Sequence, residues 1–232
     1  MNGMNTSGTP LPAEAKQCPL RTLWWSIGFI VALACLTGAS LYVYRYFLTP
    51  PHWDKTFGEL DERFYFGPQA FFLDTSLQNG EFPLWSPLAY CGMPFAADPQ
   101  ASAWYPPHIV RSLLTPPFNP FATAVSLHVL RFLHLLWAGL GVLCLARLYR
   151  LSLSAGLVGA FAFMFNMFNI IYFTEFYVYS LVIVWAPWVL WAAKKAFQAQ
   201  AFRIRIAYAV LTVFFFTLST LAGFPQLSLY LG

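Results

Sequence analysis

The chain has 232 residues, of which 59% are apolar and only 9% are charged. An ordinary soluble domain runs at about 45–50% apolar and about 25% charged. With a mean hydropathy of +0.57, this composition excludes a soluble enzyme, a disordered tail and a nucleic-acid module. What remains is an all-α, polytopic helical membrane protein.

In chain order, residues 1–22 form a polar tail and 23–48 a first apolar stretch long enough to span with tilt. Ala32-Leu33-Ala34-Cys35 has the look of a cleavage box, but the apolar run continues past Cys35, so the stretch reads as an anchor. A loop over 49–121 follows. Residues 122–232 then carry four further apolar stretches, at about 124–145, 155–173, 177–193 and 206–229. The count is about five membrane helices with a large first extracytoplasmic loop.

Charge sets the orientation. Lys16 and Arg21, Arg147 and Arg150, and Lys194, Lys195, Arg203 and Arg205 fall in segments that alternate to one side. That side is the cytoplasm, which predicts a multi-pass protein of the cytoplasmic membrane with a cytoplasmic N-terminus. The loop on the other side carries Asp54, Glu59, Asp61, Glu62, Asp74, Glu81 and Asp98 against Lys55, Arg63 and Arg111. The net charge of +4 therefore reports topology and gives no nucleic-acid partner. Cys91 is the one cysteine expected outside, so the loop has no internal disulfide.

A loop of this length that is rich in aromatic residues is functional rather than disordered. Pro68 predicts a helix through Phe71, Phe72, Leu73 and Leu77 that stops at Asn79-Gly80 and rests its apolar residues on the bilayer surface. Prolines at 83, 87, 94, 99, 106 and 107 then predict a fixed, irregular path. Asp61 and Asp98 are the acids that stand out, as solvated or capping groups or as chemistry-bearing ones. Glu59, Asp61 and Glu62 together also offer oxygen ligands for a divalent cation.

His128, Arg131 and His134 recur at intervals of three on the second span, so they share a face. An intramembrane cation must snorkel, pair or line a wet cavity. One reading is a snorkelling arginine flanked by interfacial histidines. The other is a site for phosphate or carboxylate, with Asp61 or Asp98 as the protein partner when no ligand is present. Asn166 and Asn169 on the third span predict interhelical hydrogen bonds, and Gly223-Phe224-Pro225-Gln226 interrupts the fifth, where backbone groups would face a cavity.

The run Gly80-Glu81-Phe82-Pro83-Leu84-Trp85-Ser86-Pro87, then Gly92-Met93-Pro94-Phe95, Asp98-Pro99-Gln100 and Tyr105-Pro106-Pro107, resembles the first outer loop of bacterial YfhO-type membrane proteins. His134 with Ala138-Gly139, Arg147, and Ala222-Gly223-Phe224-Pro225-Gln226 support the likeness. The resemblance implies a GT-C-like fold and transfer of sugar from a polyprenyl-phosphate donor to an envelope glycan or glycolipid. It places Asp61 as the base. Asp98, Gln100, His128, Arg131, His134 and Gln226 become candidate substrate-binding residues, of which His128, Arg131 and His134 are assigned to the donor phosphate on chemical grounds. Members of that family are longer, so the chain reads as an N-terminal portion. The rival readings are a non-catalytic membrane scaffold or partial subunit, and a transporter or flippase of lipid-linked precursors.

Overall fold

The computed structural model describes residues 19–45, 61–174 and 177–230. Every regular element among them is helical, and one isolated antiparallel bridge joins Ser86 to Met93. Three helices are long and apolar enough to cross a membrane: Pro120–Leu148, Val178–Gln198 and Phe202–Leu221. Two further apolar helices, Ile27–Val43 and Leu153–Met164, are shorter.

Helix α1 (Pro19–Val43) sets Ala32, Leu36 and Ser40 at intervals of four, and this stripe faces inward. The long loop, called the outer loop here after the side the charge pattern predicts for it, begins, after residues that lie outside the described set, at Asp61. It continues as a π-helical turn over Glu62–Phe66 into α2 (Gly67–Gln78). Pro68 sits in the first turn of α2, where its missing N–H has no helical partner to lose. The helix stops at Asn79, and Gly80 takes a φ of +79°, which favours glycine.

Residues 81–105 follow an irregular path with short 3₁₀ turns at Phe95–Ala97 and Pro99–Ala101. Leu73 of α2 does not rest on a bilayer surface; it is buried with Phe95, Ala101 and Ala103 because the proline-rich path folds back over it. The loop closes with α3 (Pro106–Leu114), whose two prolines occupy its first turn.

Helix α4 (Pro120–Leu148) is the centre of the molecule. Asn119 caps it, its side-chain oxygen accepting from the Ala122 N–H at 3.1 Å. Leu135 and Leu143 of α4 join α1 in a core with Ala160 and Met164 of α5 (Leu153–Met164). Gly139 leaves room there for the Met164 sulfur, which would have to shift to admit a Cβ at that position. Next come α6 (Met167–Thr174), α7 (Tyr177–Ile183), α8 (Ala186–Gln198), α9 (Phe202–Leu221) and α10 (Pro225–Leu229).

Two of these junctions refine the sequence reading. The hydrogen bonds of Asn166 and Asn169 stay within the third apolar segment. They cap the break between α5 and α6, with Asn166 accepting from the Asn169 N–H at 2.8 Å and both side chains donating to the Phe163 carbonyl. The break after α9 meets a side chain. The Ser102 hydroxyl of the outer loop fills it and donates to the Ala222 carbonyl at 2.9 Å. Around α8 the core is aromatic: Trp137 and Trp188 stack at 4.2 Å, and the Trp188 indole donates to the Trp137 carbonyl.

Candidate functional site at the loop-bearing end of α4

The three-residue spacing on α4 does bring His128, Arg131 and His134 to one face, and all three are buried under the outer loop. Arg131, at 1% exposure, forms a buried ion pair with Glu62 of the π-helical turn. The partner is thus neither Asp61 nor Asp98. Successive helical side chains point about 100° apart, so the turn that aims Glu62 at α4 leaves its neighbour Asp61 exposed. Arg131 also donates to His128 Nδ1 at 3.3 Å. Burial raises the Glu62 carboxyl above its ordinary range, and the Arg131 charge and hydrogen bond oppose that rise.

His134 belongs to a second, adjoining network. Its Nδ1–H donates to the Leu130 carbonyl at 2.8 Å, one helical turn back, which leaves Nε2 as an acceptor. Tyr105 from the loop donates its hydroxyl to that Nε2 at 2.5 Å and accepts from the Trp185 indole at 2.9 Å. Burial raises the Tyr105 phenol, and the Trp185 hydrogen bond opposes this. His108 of α3 is buried beside Tyr105, with ring centroids 5.9 Å apart. Its imidazole is held well below the ordinary range by burial first, then by the charges of Arg111, His134 and Arg131.

A third network was missed in the sequence. Asp74 of α2 receives Arg111 in a two-pronged ion pair at 2.5 and 3.0 Å, with Ser112 at 2.6 Å and Thr123 of α4 at 2.7 Å. Arg111 donates further to Ser126 of α4 at 2.8 Å. The signal was present. Asp74 interrupts the apolar run Phe71-Phe72-Leu73, and His108, Arg111, Ser112 and Thr115 recur at helical spacing in an otherwise apolar segment.

The remaining candidates lie apart from these networks. Asp98 caps the turn at Pro99, accepting from the Gln100 N–H at 2.9 Å. It also accepts from the Tyr65 hydroxyl at 2.6 Å and the Gln69 amide at 3.3 Å. The Tyr65 phenol is pushed up to about 12, by burial first and then by that bond to Asp98. Gln100 thus takes part through its backbone. Gln226 is exposed on α10 and donates to Tyr230 at 2.9 Å. Glu59 lies outside the described residues, and among the described residues no group of three acids, histidines or cysteines could hold a metal ion.

Beside these networks, a groove of about 960 Å³ runs between α3, α4 and α9. Val125, Val129 and Leu133 line its α4 side, and His134, Trp137 and Trp185 its deep end. No protein-family model matches the chain, and neither a curated protein nor a solved structure matches it.

Proposed function

We propose that the chain is part of a GT-C-like glycosyltransferase of the cytoplasmic membrane, with about five spanning helices and a cytoplasmic N-terminus. Its outer loop would pass a sugar from a polyprenyl-phosphate donor to an envelope glycan or glycolipid. One observation carries the reading. The loop whose residues bear the YfhO-type resemblance is a fixed cap on α4, tied to it by the buried pair Glu62–Arg131 and by the hydrogen bonds of Thr123 and Ser126 to the Asp74–Arg111 pair, with Asp61 exposed at its edge.

In this reading Asp61 takes the proton of the acceptor hydroxyl while that oxygen attacks the anomeric carbon. The bond from that carbon to the donor phosphate breaks, and the phosphate leaves on its lipid. A donor phosphate that reached Arg131 or His128 would compete with Glu62 for the guanidinium. We therefore assign Arg131 first to holding the loop and only then to the phosphate.

A second reading, a non-catalytic scaffold, is favoured by a different observation: Arg131, His134 and Asp98 all spend hydrogen bonds within the protein. The variant Asp61→Asn separates the two. The enzyme reading expects it to abolish sugar transfer by the full-length protein in membrane vesicles, with normal insertion; undiminished transfer leaves the scaffold.

A further inference from the structure

The end of α4 away from the outer loop carries a cationic patch assembled from three helices. Arg147 and Arg150 lie where α4 ends, Lys194 and Lys195 near the end of α8, and Arg203 and Arg205 at the start of α9. The Lys194 ammonium sits 5.1 Å over the Tyr149 ring, which joins the ends of α4 and α8. Only residues 199–201 separate α8 from α9, and the Arg205 guanidinium donates twice to the Ala199 carbonyl there, at 3.1 and 3.3 Å. The three ends therefore form one surface. From Pro99 onward the sequence supplies one acid, Glu175. It precedes the Val178–Gln198 span, and the two lysines lie at the other end of that span.

Helix energetics account for part of the patch. Arg147 and Lys195 sit in last helical turns, where a cation complements the helix dipole. Arg203 and Arg205 do the reverse, because they open α9 at the end that disfavours cations. Arg150 takes a φ of +59°, a conformation that favours glycine or asparagine. Arg150 and Arg203 are exposed, and their side chains have no protein partner among the described residues. Exposed apolar residues flank the two arginines of α9: Phe202, Ile204 and Ile206, with Phe197 before the turn. Such interleaving calls for hydrocarbon and anionic oxygen side by side. The headgroup boundary of a bilayer supplies both, whereas an acidic protein surface or a nucleic acid supplies only the charge.

We propose that this patch binds the headgroup phosphate of an anionic phospholipid, with Arg150 and Arg203 as donors and Arg205, fixed by Ala199, beside them. The proposal does not depend on the glycosyltransferase reading. In the test, phosphatidylglycerol and, separately, phosphatidylcholine are titrated into the full chain in mild detergent, and bound lipid is counted by native mass spectrometry. The wild type is expected to bind phosphatidylglycerol about tenfold more tightly, and the preference should weaken as salt rises. Arg150→Gln and Arg203→Gln should each lower the preference about fivefold, and the double variant should abolish it. Arg63→Gln removes an exposed charge from the outer loop and should leave the preference unchanged. Equal affinity of the wild type for the two lipids, or a preference that salt does not weaken, overturns the proposal. A preference that survives the double variant overturns it too. An equal loss in Arg63→Gln assigns the preference to net charge and overturns the site.

Discussion

Glu62, in the turn that opens the outer loop, and Arg131, on the longest helix, form an ion pair buried from solvent on both sides. The pair joins two segments far apart in sequence, and neither charge has bulk water to fall back on. Removing one partner of such a pair costs about 3–5 kcal/mol, whereas replacing both by neutral groups of similar volume is often near neutral. Arg131→Ala is therefore expected to lower stability by about that amount. Glu62→Gln combined with Arg131→Met should recover most of the loss. Reversible unfolding in mixed micelles checks both. A double variant as weak as the single one would show that the pair is not what joins loop and helix.

The seat of the loop on α9 makes a second prediction. Gly223 has a φ of +117°, in the left-handed region, and a Cβ there would strike the Ser102 hydroxyl. Gly223→Ala is expected to cost about 1–3 kcal/mol through backbone strain and loss of the Ser102 hydrogen bond. Ser102→Ala should cost less, because only the bond is lost. Comparing the two variants by unfolding separates strain from hydrogen bonding.

Much of this architecture was legible in the chain. Pro68 and Asn79-Gly80 mark the two ends of α2, and the prolines from 83 to 107 mark the irregular path. The shared face of His128, Arg131 and His134 follows from helical spacing alone. The choice of partners did not follow. Glu62 and Asp61 are adjacent, and which one points inward depends on a single helical step that the tertiary docking decides. Asp98 was spent locally as a cap, as acids before a proline-started turn commonly are. The two asparagines near residue 166 were likewise absorbed by a helix end. The outward apolar face expected of α2 belongs instead to α3, whose polar residues have Asp74 to face and so turn their apolar neighbours outward.

His108 gives the pH dependence. Its folded pKa lies below the ordinary 6.5, so between the two values the unfolded chain binds a proton that the folded protein excludes. The stability that His108 contributes is complete above about pH 6.5 and is lost as pH falls toward the folded pKa, at up to about 1.4 kcal/mol per pH unit. His108→Gln should remove that slope, and the difference between wild type and variant across pH 4–7 isolates it. Parallel pH profiles would exclude His108 as its source.

The central claim is that the folded loop stands on the outer face of the membrane, where a sugar could be transferred. Cys91 tests it most directly, being exposed in the loop while Cys35 and Cys144 lie in helices. In a variant that retains Cys91 as its sole cysteine, a membrane-impermeant maleimide added to intact cells should label the protein as fully as it does after lysis. Labelling only after lysis would place the loop in the cytoplasm and contradict the account.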